Sequence, residues 1–145
     1  MKAPRLIMLL CLLLLTASDL CSQNIKVTVT GIRSEKGQIA IGVFLDEESF
    51  RKEKAFLEPR FSKENLADGT MTFSLTFEPG VYGLSVLDDE NCDGLMEYRK
   101  LGLPKEGFGF SGYYHTGIKR PKFDDFRFTV VQGQEMKITV RMKYF

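Results

Sequence analysis

A two-residue alternation of apolar and polar side chains recurs along the chain and constrains its fold more than any other feature. It begins with Ile25, Val27 and Val29, whose intervening neighbours are polar. The same pattern returns in later stretches, at 39–45, 71–77, 82–87, 126–130 and 136–142. Such alternation is typical of half-buried antiparallel strands, and the apolar face of one sheet must be covered by another sheet. The sequence therefore predicts an all-β protein, an antiparallel β-sandwich.

One segment between the predicted strands has the signals of a short helix. Asp46 is a favoured N-cap residue, and the segment 47–54 has acidic residues first and basic residues later, as the helix dipole favours. The whole interval 46–69 is polar, which predicts a crossover between the two sheets. Further on, the run 78–81 predicts a type II turn, because its proline presets φ and its glycine supplies a positive φ.

The N-terminus has the layout of a secretory signal peptide. Basic residues precede an apolar run at 6–15, and small polar residues follow it. A transmembrane helix needs about 20 apolar residues, so we expect no transmembrane anchor from this shorter run. We predict a signal peptide over residues 1–22 and one β-sandwich domain over residues 23–145, exported to the periplasm or to the cell exterior.

Removal of residues 1–22 leaves a neutral domain with one cysteine. The segment carries two of the 20 basic and one of the 19 acidic residues, so 18 of each remain. A neutral domain has no global field to attract nucleic acid or anionic lipid, and we expect neither as a partner. Cys92 is interpreted as a tolerated loop thiol, with an intermolecular or reactive thiol as the alternative. Lipidation at Cys21 is less favoured, because the residues before it fit that modification poorly.

The acidic segment 88–97 contains the spacing of a calcium-binding loop. Asp89, Asn91 and Asp93 occupy alternate positions and a glycine follows them. A calcium ion needs several oxygen ligands at short range, and a tightly turning loop can aim alternate side chains inward. We predict a calcium site formed by these three residues and Glu97, with Asp88 as an additional candidate.

The predicted calcium loop is not an EF-hand. Lys100 occupies the position at which an EF-hand has its bidentate glutamate, and no pair of helical segments flanks the loop. The site would belong to the kind of calcium loop that lies between strands. The alternative interpretation is an Asx-rich turn, whose side chains bond to their own backbone.

A segment rich in glycine and aromatic residues follows at 101–115, and we predict that it is a long loop without helix or strand. In one interpretation it is a platform for a carbohydrate or protein ligand, because aromatic rings stack on such ligands and glycine lets them approach the backbone. The candidate ligand-binding residues are Phe110, Tyr113, Tyr114 and His115. In the other interpretation the loop plugs one end of the sandwich and buries Phe108 and Phe110.

Several runs of the chain together resemble a known family. They are Val29-Thr30-Gly31-Ile32, Gly37-Gln38-Ile39, the Pro-Gly-x-Tyr run 79–82, Asp89-Glu90-Asn91 with Asp93-Gly94, the run 102–111 and the run 121–126. They are similar to the secreted bacterial family called domain of unknown function 2141, whose members often have a histidine at the position of Asp88 and a glycine at that of Cys92. The resemblance implies a transthyretin-like or prealbumin-like sandwich, exported from bacteria. It implies no established activity. We predict the fold as a Greek-key sandwich of the transthyretin-like or immunoglobulin-like kind with one short helix.

Catalytic residues are not predicted. His115 is the only histidine, and no nucleophile stands beside it in a recognisable spacing. One histidine and one remaining cysteine do not make a conventional zinc site. We therefore predict an exported, non-enzymatic binding or accessory module and leave its oligomeric state open. The alternatives are a hydrolase that uses carboxylates and a structural envelope protein that pairs through a sheet edge or through Cys92.

Overall fold

The computed structural model describes residues 22–145, which form two β-sheets and two short helices. The strands are β1 (Gln23–Thr30), β2 (Gln38–Phe44), β3 (Arg60–Ser62), β4 (Thr70–Phe77), β5 (Gly80–Asp89), β6 (Gly107–Phe110), β7 (Arg127–Val130) and β8 (Met136–Arg141). The helices are α1 (Glu47–Arg51) and α2 (Phe123–Phe126). The predicted signal peptide lies outside the described residues, apart from Ser22. Within the described residues, no helix is long and apolar enough to cross a bilayer.

The strands form a three-stranded sheet in the order β4-β1-β8 and a five-stranded sheet in the order β3-β2-β5-β6, with β7 also paired to β5. This arrangement confirms the predicted all-β sandwich. One pairing departs from the antiparallel pattern, because β1 runs antiparallel to β4 but parallel to β8, with Val27 opposite Ile138. The alternation of side chains predicts the faces of β1 and β8 but not the relative direction of the two strands.

The main core lies between the sheets and is built by the alternating residues that the sequence marks. The fully or almost fully buried side chains are Ile25, Val27, Val29, Ile39, Ile41, Val43, Leu84, Val86 and Val140. Burying each such aliphatic side chain contributes about 1.5–3 kcal/mol relative to leaving it exposed. The sandwich is therefore held together by apolar packing.

Strand β6 corrects the prediction that the segment 101–115 is a loop without strands. It has the sequence Gly-Phe-Gly-Phe, in which glycines face the core and phenylalanines face outward. A Cβ on Gly109 would lie 2.6 Å from Val140 Cγ1 and 2.8 Å from the Arg141 carbonyl oxygen. Glycine is required there because β6 passes so close to β8. The strand is hidden from a hydrophobicity pattern because its core-facing positions have no side chain.

Ser111 joins two strands that share one edge of β5. Strand β7 pairs with the first half of β5 and β6 with the second half. Between them the Leu84 N–H donates to Ser111 Oγ at 2.9 Å, and Ser111 Oγ donates to the Phe126 carbonyl at 2.6 Å. A buried hydroxyl therefore continues the hydrogen bonding where the ladder passes from one strand to the other.

A second aromatic cluster covers the outer face of the five-stranded sheet. Its buried members are Phe44, Phe50, Phe108, Phe110, Phe123 and Phe126. Helix α1 contributes Phe50, and its predicted N-cap is confirmed, because Asp46 Oδ1 accepts from the Ser49 N–H at 2.7 Å. Helix α2 was not predicted, since four residues are too few to show a helical period. Both faces of this sheet are consequently packed.

The interval 46–69 is only partly the predicted crossover. It contains β3, which stays in the five-stranded sheet by pairing with β2. Its three residues are too few to give an alternation signal, although the central one, Phe61, packs against the main core. The change of sheet occurs after β3, between residues 63 and 69.

The predicted type II turn at 78–81 is wrong. Gly80 begins β5 and is not among the glycines with positive φ. The run is a corner between the two sheets, in which the Tyr82 hydroxyl donates to the Glu78 carbonyl at 3.0 Å. A Cβ on Gly80 would lie 3.2 Å from the Tyr82 ring, so glycine lets the ring cross the backbone at this corner.

Candidate functional site

A cavity of about 440 Å³ opens on the outer face of the five-stranded sheet. Its floor includes the small residues Ala40, Gly42 and Ser85 on the neighbouring strands β2 and β5, where Gly42 lies opposite Ser85. Its walls include Phe50 and Phe110 from the second aromatic cluster. Because small side chains lie beneath large rings, the packing over this face leaves a space within the size range of ligand sites.

His115 supplies a polar group to this mainly apolar wall. It lines the cavity with only 9 % of its surface exposed. Its ring centroid is 5.9 Å from that of Tyr113 and 6.2 Å from that of Phe110. Its Nδ1 atom is buried and has no hydrogen-bond partner within residues 22–145. A buried polar atom without a partner destabilises a folded protein, by about 1–3 kcal/mol.

The mouth of the cavity is held by Arg120. Its Nη1 lies 3.0 Å from Glu53 Oε1, and its Nη2 donates to the Phe50 carbonyl at 2.6 Å. The guanidinium carbon also lies 4.3 Å from the centre of the Phe50 ring. These contacts join the segment before α2 to helix α1, so the two walls of the mouth are fixed relative to each other.

The four predicted ligand-binding residues do not lie together. Phe110 and His115 line the cavity, and Tyr113 is half-buried behind them against the aromatic cluster. Tyr114 does not line this cavity; the Arg141 guanidinium carbon lies 4.4 Å from its ring centre. Successive side chains point in opposite directions in this extended segment, which separates Tyr114 from its neighbours. Ligand binding by any of the four stays a prediction.

The plug interpretation agrees with the burial of the aromatic residues, but it puts them in the wrong part of the fold. Phe108 and Phe110 are 9 % and 7 % exposed, as a plug would require. They project from β6 on the outer face of the sheet and line the cavity, so they do not close an end of the sandwich.

The floor of the cavity was not found from the sequence. Ala40, Gly42 and Ser85 are small residues within predicted strands, and such residues carry no chemical signal by themselves. The signal that could have found them is their position on the outward face of two strands that pair with each other. That signal becomes readable only when the strand order is known.

Asp88 is part of a buried ionic network and is not in contact with solvent. Its carboxylate accepts hydrogen bonds from Lys63 Nζ and from the Tyr144 hydroxyl, and the Asp88 and Lys63 side chains are 0 % and 1 % exposed. Lys63 Nζ also donates to the Ser34 and Lys36 carbonyls. Burial, with the hydrogen bond to Asp88, raises the pKa of Tyr144, so this hydroxyl stays protonated as a donor.

Asp89 is fully buried and organises the acidic loop. Its Oδ2 accepts from Gln38 Nε2 at 2.7 Å and from the Gly94 N–H at 2.9 Å, and its Oδ1 accepts from the Asp93 N–H at 3.2 Å. Asn91 Nδ2 donates to Asp93 Oδ2 at 2.9 Å. Asn91 Oδ1 accepts from the Asp93 N–H at 3.1 Å, and Asp93 Oδ1 accepts from the Leu95 N–H at 2.8 Å, which are the contacts that the Asx-turn interpretation requires.

The remaining predicted calcium ligand is paired with a lysine. Glu97 Oε2 lies 2.6 Å from Lys105 Nζ at the surface. In the part of the chain that the structure describes, no three His, Cys, Asp or Glu side chains form a group that could hold a metal ion. Calcium binding is not tested by this arrangement and stays a prediction.

Glu106 adds a partly buried carboxylate beside the acidic loop. Its Oε1 accepts from the Glu90 N–H at 3.2 Å, whereas its Oε2 is buried without a partner in residues 22–145. Burial raises the pKa of Glu106, and the negative charges of Asp89 and Asp93 add to this rise. Glu106 was not predicted as a site residue, because it lies 16 positions from Glu90, whose N–H donates to it.

Comparison with known proteins identifies the family. Residues 27–139 match the model of a family described as an uncharacterized protein conserved in bacteria, DUF2141. The chain belongs to the DUF2141 family. No curated protein and no solved structure matches the chain. The matched range of this DUF2141 protein contains the floor of the cavity, the acidic loop and His115.

Cys92 occupies a backbone conformation that favours glycine. It is exposed, and its φ is 60°, in the left-handed region. A residue with a Cβ loses roughly 1–2 kcal/mol in that region. We expect Cys92→Gly to raise the free energy of unfolding of this DUF2141 protein by about 1 kcal/mol in urea denaturation. Cys92→Ser, which keeps the Cβ, should give no gain; an equal gain in both variants would assign the effect to the thiol.

Proposed function

We propose that this DUF2141 protein is a binding module that takes an apolar or aromatic group of a small ligand into the cavity above the five-stranded sheet. One observation carries the proposal: a cavity of about 440 Å³ with aromatic walls also contains His115, a buried polar residue whose Nδ1 has no partner within residues 22–145. Natural ligand sites are mostly apolar spaces of roughly 300–1,000 Å³ with a few polar groups.

The favourable free energy of binding would come mainly from burying the ligand against the aromatic rings, and the ordered mouth would reduce the entropy that binding costs. Each Å² of apolar surface removed from water contributes about 25 cal/mol, and the walls include Phe50 and Phe110. The contacts of Arg120 with Glu53 and Phe50 already order the mouth, so little side-chain entropy would be lost when a ligand enters.

Two serines on outward strand faces provide a matched test. Ser85 lies on the floor of the cavity, whereas Ser74 is exposed on the three-stranded sheet, opposite Lys26. We expect Ser85→Phe to fill the cavity and to weaken binding of the neutral fluorescent probe N-phenyl-1-naphthylamine by at least about tenfold, since the probe loses most of its buried area. Ser74→Phe should bind the probe as the unchanged protein does.

The outcome is read from fluorescence titration, with thermal unfolding of each variant as the check on folding. Equal probe affinity in the unchanged protein and in a folded Ser85→Phe variant would contradict the proposal, as would the absence of probe binding to the unchanged protein. The proposed alternative of a carboxylate-using hydrolase has Glu53 and Glu58 at the rim. Glu53 is occupied by Arg120, which favours binding over hydrolysis.

We also propose that the module acts after export, a proposal supported by the basic residues and apolar run 6–15 at the N-terminus.

A calcium ion beside the acidic loop is a second proposal, supported by the ligand spacing and by Glu106. Its Oε2 is buried without a partner in residues 22–145 and could become a ligand of the ion, and its raised pKa shows that burial disfavours its charge. To bind the ion, Asn91 and Asp93 would exchange their mutual hydrogen bond for coordination.

Glu106→Gln tests the calcium proposal and has a predicted pH dependence. The folded-state pKa of Glu106 is raised above 4.5, so the folded protein favours the protonated form and loses stability as pH rises through this region. Without calcium, the variant should be more stable than the unchanged protein at pH 7, and this gain should disappear below pH 4.5. The measurement is thermal unfolding in a chelator between pH 3 and pH 7.

Calcium should have opposite consequences for the two proteins. Millimolar calcium at pH 7 is expected to raise the Tm of the unchanged protein, because the ion binds only the folded state. The Tm of Glu106→Gln should not rise, since the carboxylate is gone. If millimolar calcium does not raise the Tm of the protein without substitutions, the acidic loop is a hydrogen-bonded turn without a metal.

A further inference from the structure

A second, polar groove lies at one end of the three-stranded sheet. Its volume is about 530 Å³. It is lined where β1 ends, where β4 begins and where β8 ends, by Gly31–Arg33, Asp68–Gly69 and Arg141–Tyr144, together with Tyr114. Tyr114 lines this groove and does not line the cavity on the outer face of the five-stranded sheet, so the groove is a separate site.

Arg33 is held over a fixed tyrosine in this groove. Its guanidinium carbon lies 4.4 Å from the centre of the Tyr144 ring. The tyrosine hydroxyl accepts from the Arg33 backbone N–H at 3.1 Å and donates to buried Asp88. The ring therefore has little freedom, and its face orders the guanidinium that lies on it.

Arg141 repeats the arrangement with Tyr114, at the same distance of 4.4 Å from the ring centre. Neither guanidinium forms an ion pair with a carboxylate among the described residues, although Asp68 also lines the groove. A guanidinium stacked by its face keeps its N–H groups free at the edge. Those N–H groups match the paired oxygens of a carboxylate, phosphate or sulfate.

We propose that this groove binds an oxyanion group of a polar ligand through Arg33 and Arg141. The lining contains the two stacked arginines and Lys143 against one aspartate, so the groove is positive in a domain whose net charge is close to zero. Stacking has already removed part of the side-chain entropy that binding would otherwise cost. The groove is larger than a single oxyanion, so it also has room for a larger polar molecule that carries one.

The test uses inorganic sulfate as the probe, with chloride at the same ionic strength as the reference. In ¹⁵N–¹H spectra of the protein, sulfate is expected to shift the Nε–H signals of Arg33 and Arg141. Arg33→Gln and Arg141→Gln should each weaken sulfate binding by about tenfold, because each removes a charge-assisted hydrogen-bond donor. Arg51→Gln, an exposed change at the end of α1, is the matched control and should leave the affinity unchanged.

A sulfated disaccharide, compared at equal sulfate-group concentration, distinguishes the source of the oxyanion. Tighter binding of the sugar supports a ligand that engages both arginines, and equal binding supports a single oxyanion group. Equal sulfate affinity in the unchanged protein, Arg33→Gln and Arg141→Gln would overturn the proposal, because binding would then be a general salt effect. The proposal would also be overturned if sulfate shifts other signals but not the Nε–H signals of Arg33 and Arg141.

Discussion

Lys63→Met is expected to lower the free energy of unfolding by about 3–5 kcal/mol, the range for removing one partner of a buried ion pair. The substitution keeps the apolar stem but removes the ammonium group that donates to Asp88 and to the Ser34 and Lys36 carbonyls. The Asp88 carboxylate, which is 0 % exposed, would then keep only the Tyr144 hydroxyl as a partner. A buried charge with too few hydrogen bonds is the main cause of the loss.

Urea denaturation of Lys63→Met and of a surface control measures this effect. Lys52 forms an ion pair with Glu48 on α1, with both side chains mostly exposed. Lys52→Met should cost less than about 0.5 kcal/mol, because water screens such pairs. Adding Asp88→Leu to Lys63→Met should recover part of the loss, since both charges are then gone. Equal losses for Lys63→Met and Lys52→Met would show that the buried network contributes no more than a surface pair.

Gly37→Ala is expected to cost about 3 kcal/mol or more, as an overpacked site that also carries backbone strain. The glycine has a φ of 74°, and a Cβ there would lie 2.1 Å from the Asp89 carbonyl oxygen and 2.5 Å from Glu90 Cα. All the atoms in its way belong to the backbone, so no change of rotamer relieves the contact. The turn before β2 would have to move away from the start of the acidic loop.

Gly133→Ala separates the two causes. Gly133 has nearly the same φ, 77°, and a Cβ there would have no atom within 4 Å. Its substitution should therefore show only the strain, about 1–2 kcal/mol. Thermal and urea unfolding of both variants give the difference. If the two losses are equal, the close approach of Gly37 to the acidic loop does not occur in solution.

The sequence predicts the longer strands whose inward residues are large, and it misses β3, which is too short, and β6, whose inward residues are small. Strands β1, β2, β4, β5, β7 and β8 all lie in the alternating stretches. Strand β6 alternates as well, but its inward residues are Gly107 and Gly109, which a search for apolar residues passes over. The parallel pairing of β1 with β8 is not encoded in either strand, because their faces would match equally well in the antiparallel direction.

The candidate sites were predicted in part for a similar reason. Phe110 and His115 stand out as unusual residues in the sequence, and the structure brings them to one cavity. Ser85 does not stand out, although it forms the floor. Asp89 has the spacing of a calcium ligand, but it is fully buried, and one of its three N–H donors is Gln38, which is 51 positions away in the sequence. Site residues that are unusual by type can be predicted from a sequence, whereas those that depend on contacts between distant residues can be found only when the fold is known.

The parallel pairing of β1 with β8 also limits when the three-stranded sheet can form during synthesis of the chain. Strand β1 lies at the centre of its sheet and is the first of the described strands to be synthesised, whereas its neighbour β8, residues 136–141, is the last of them. Until then one edge of β1 stays open, and an open strand edge is a template for aggregation. Contacts between such distant segments also slow folding. The core therefore cannot be completed before residues 136–141 have been synthesised, and the export that we propose could act on a chain that has not yet folded.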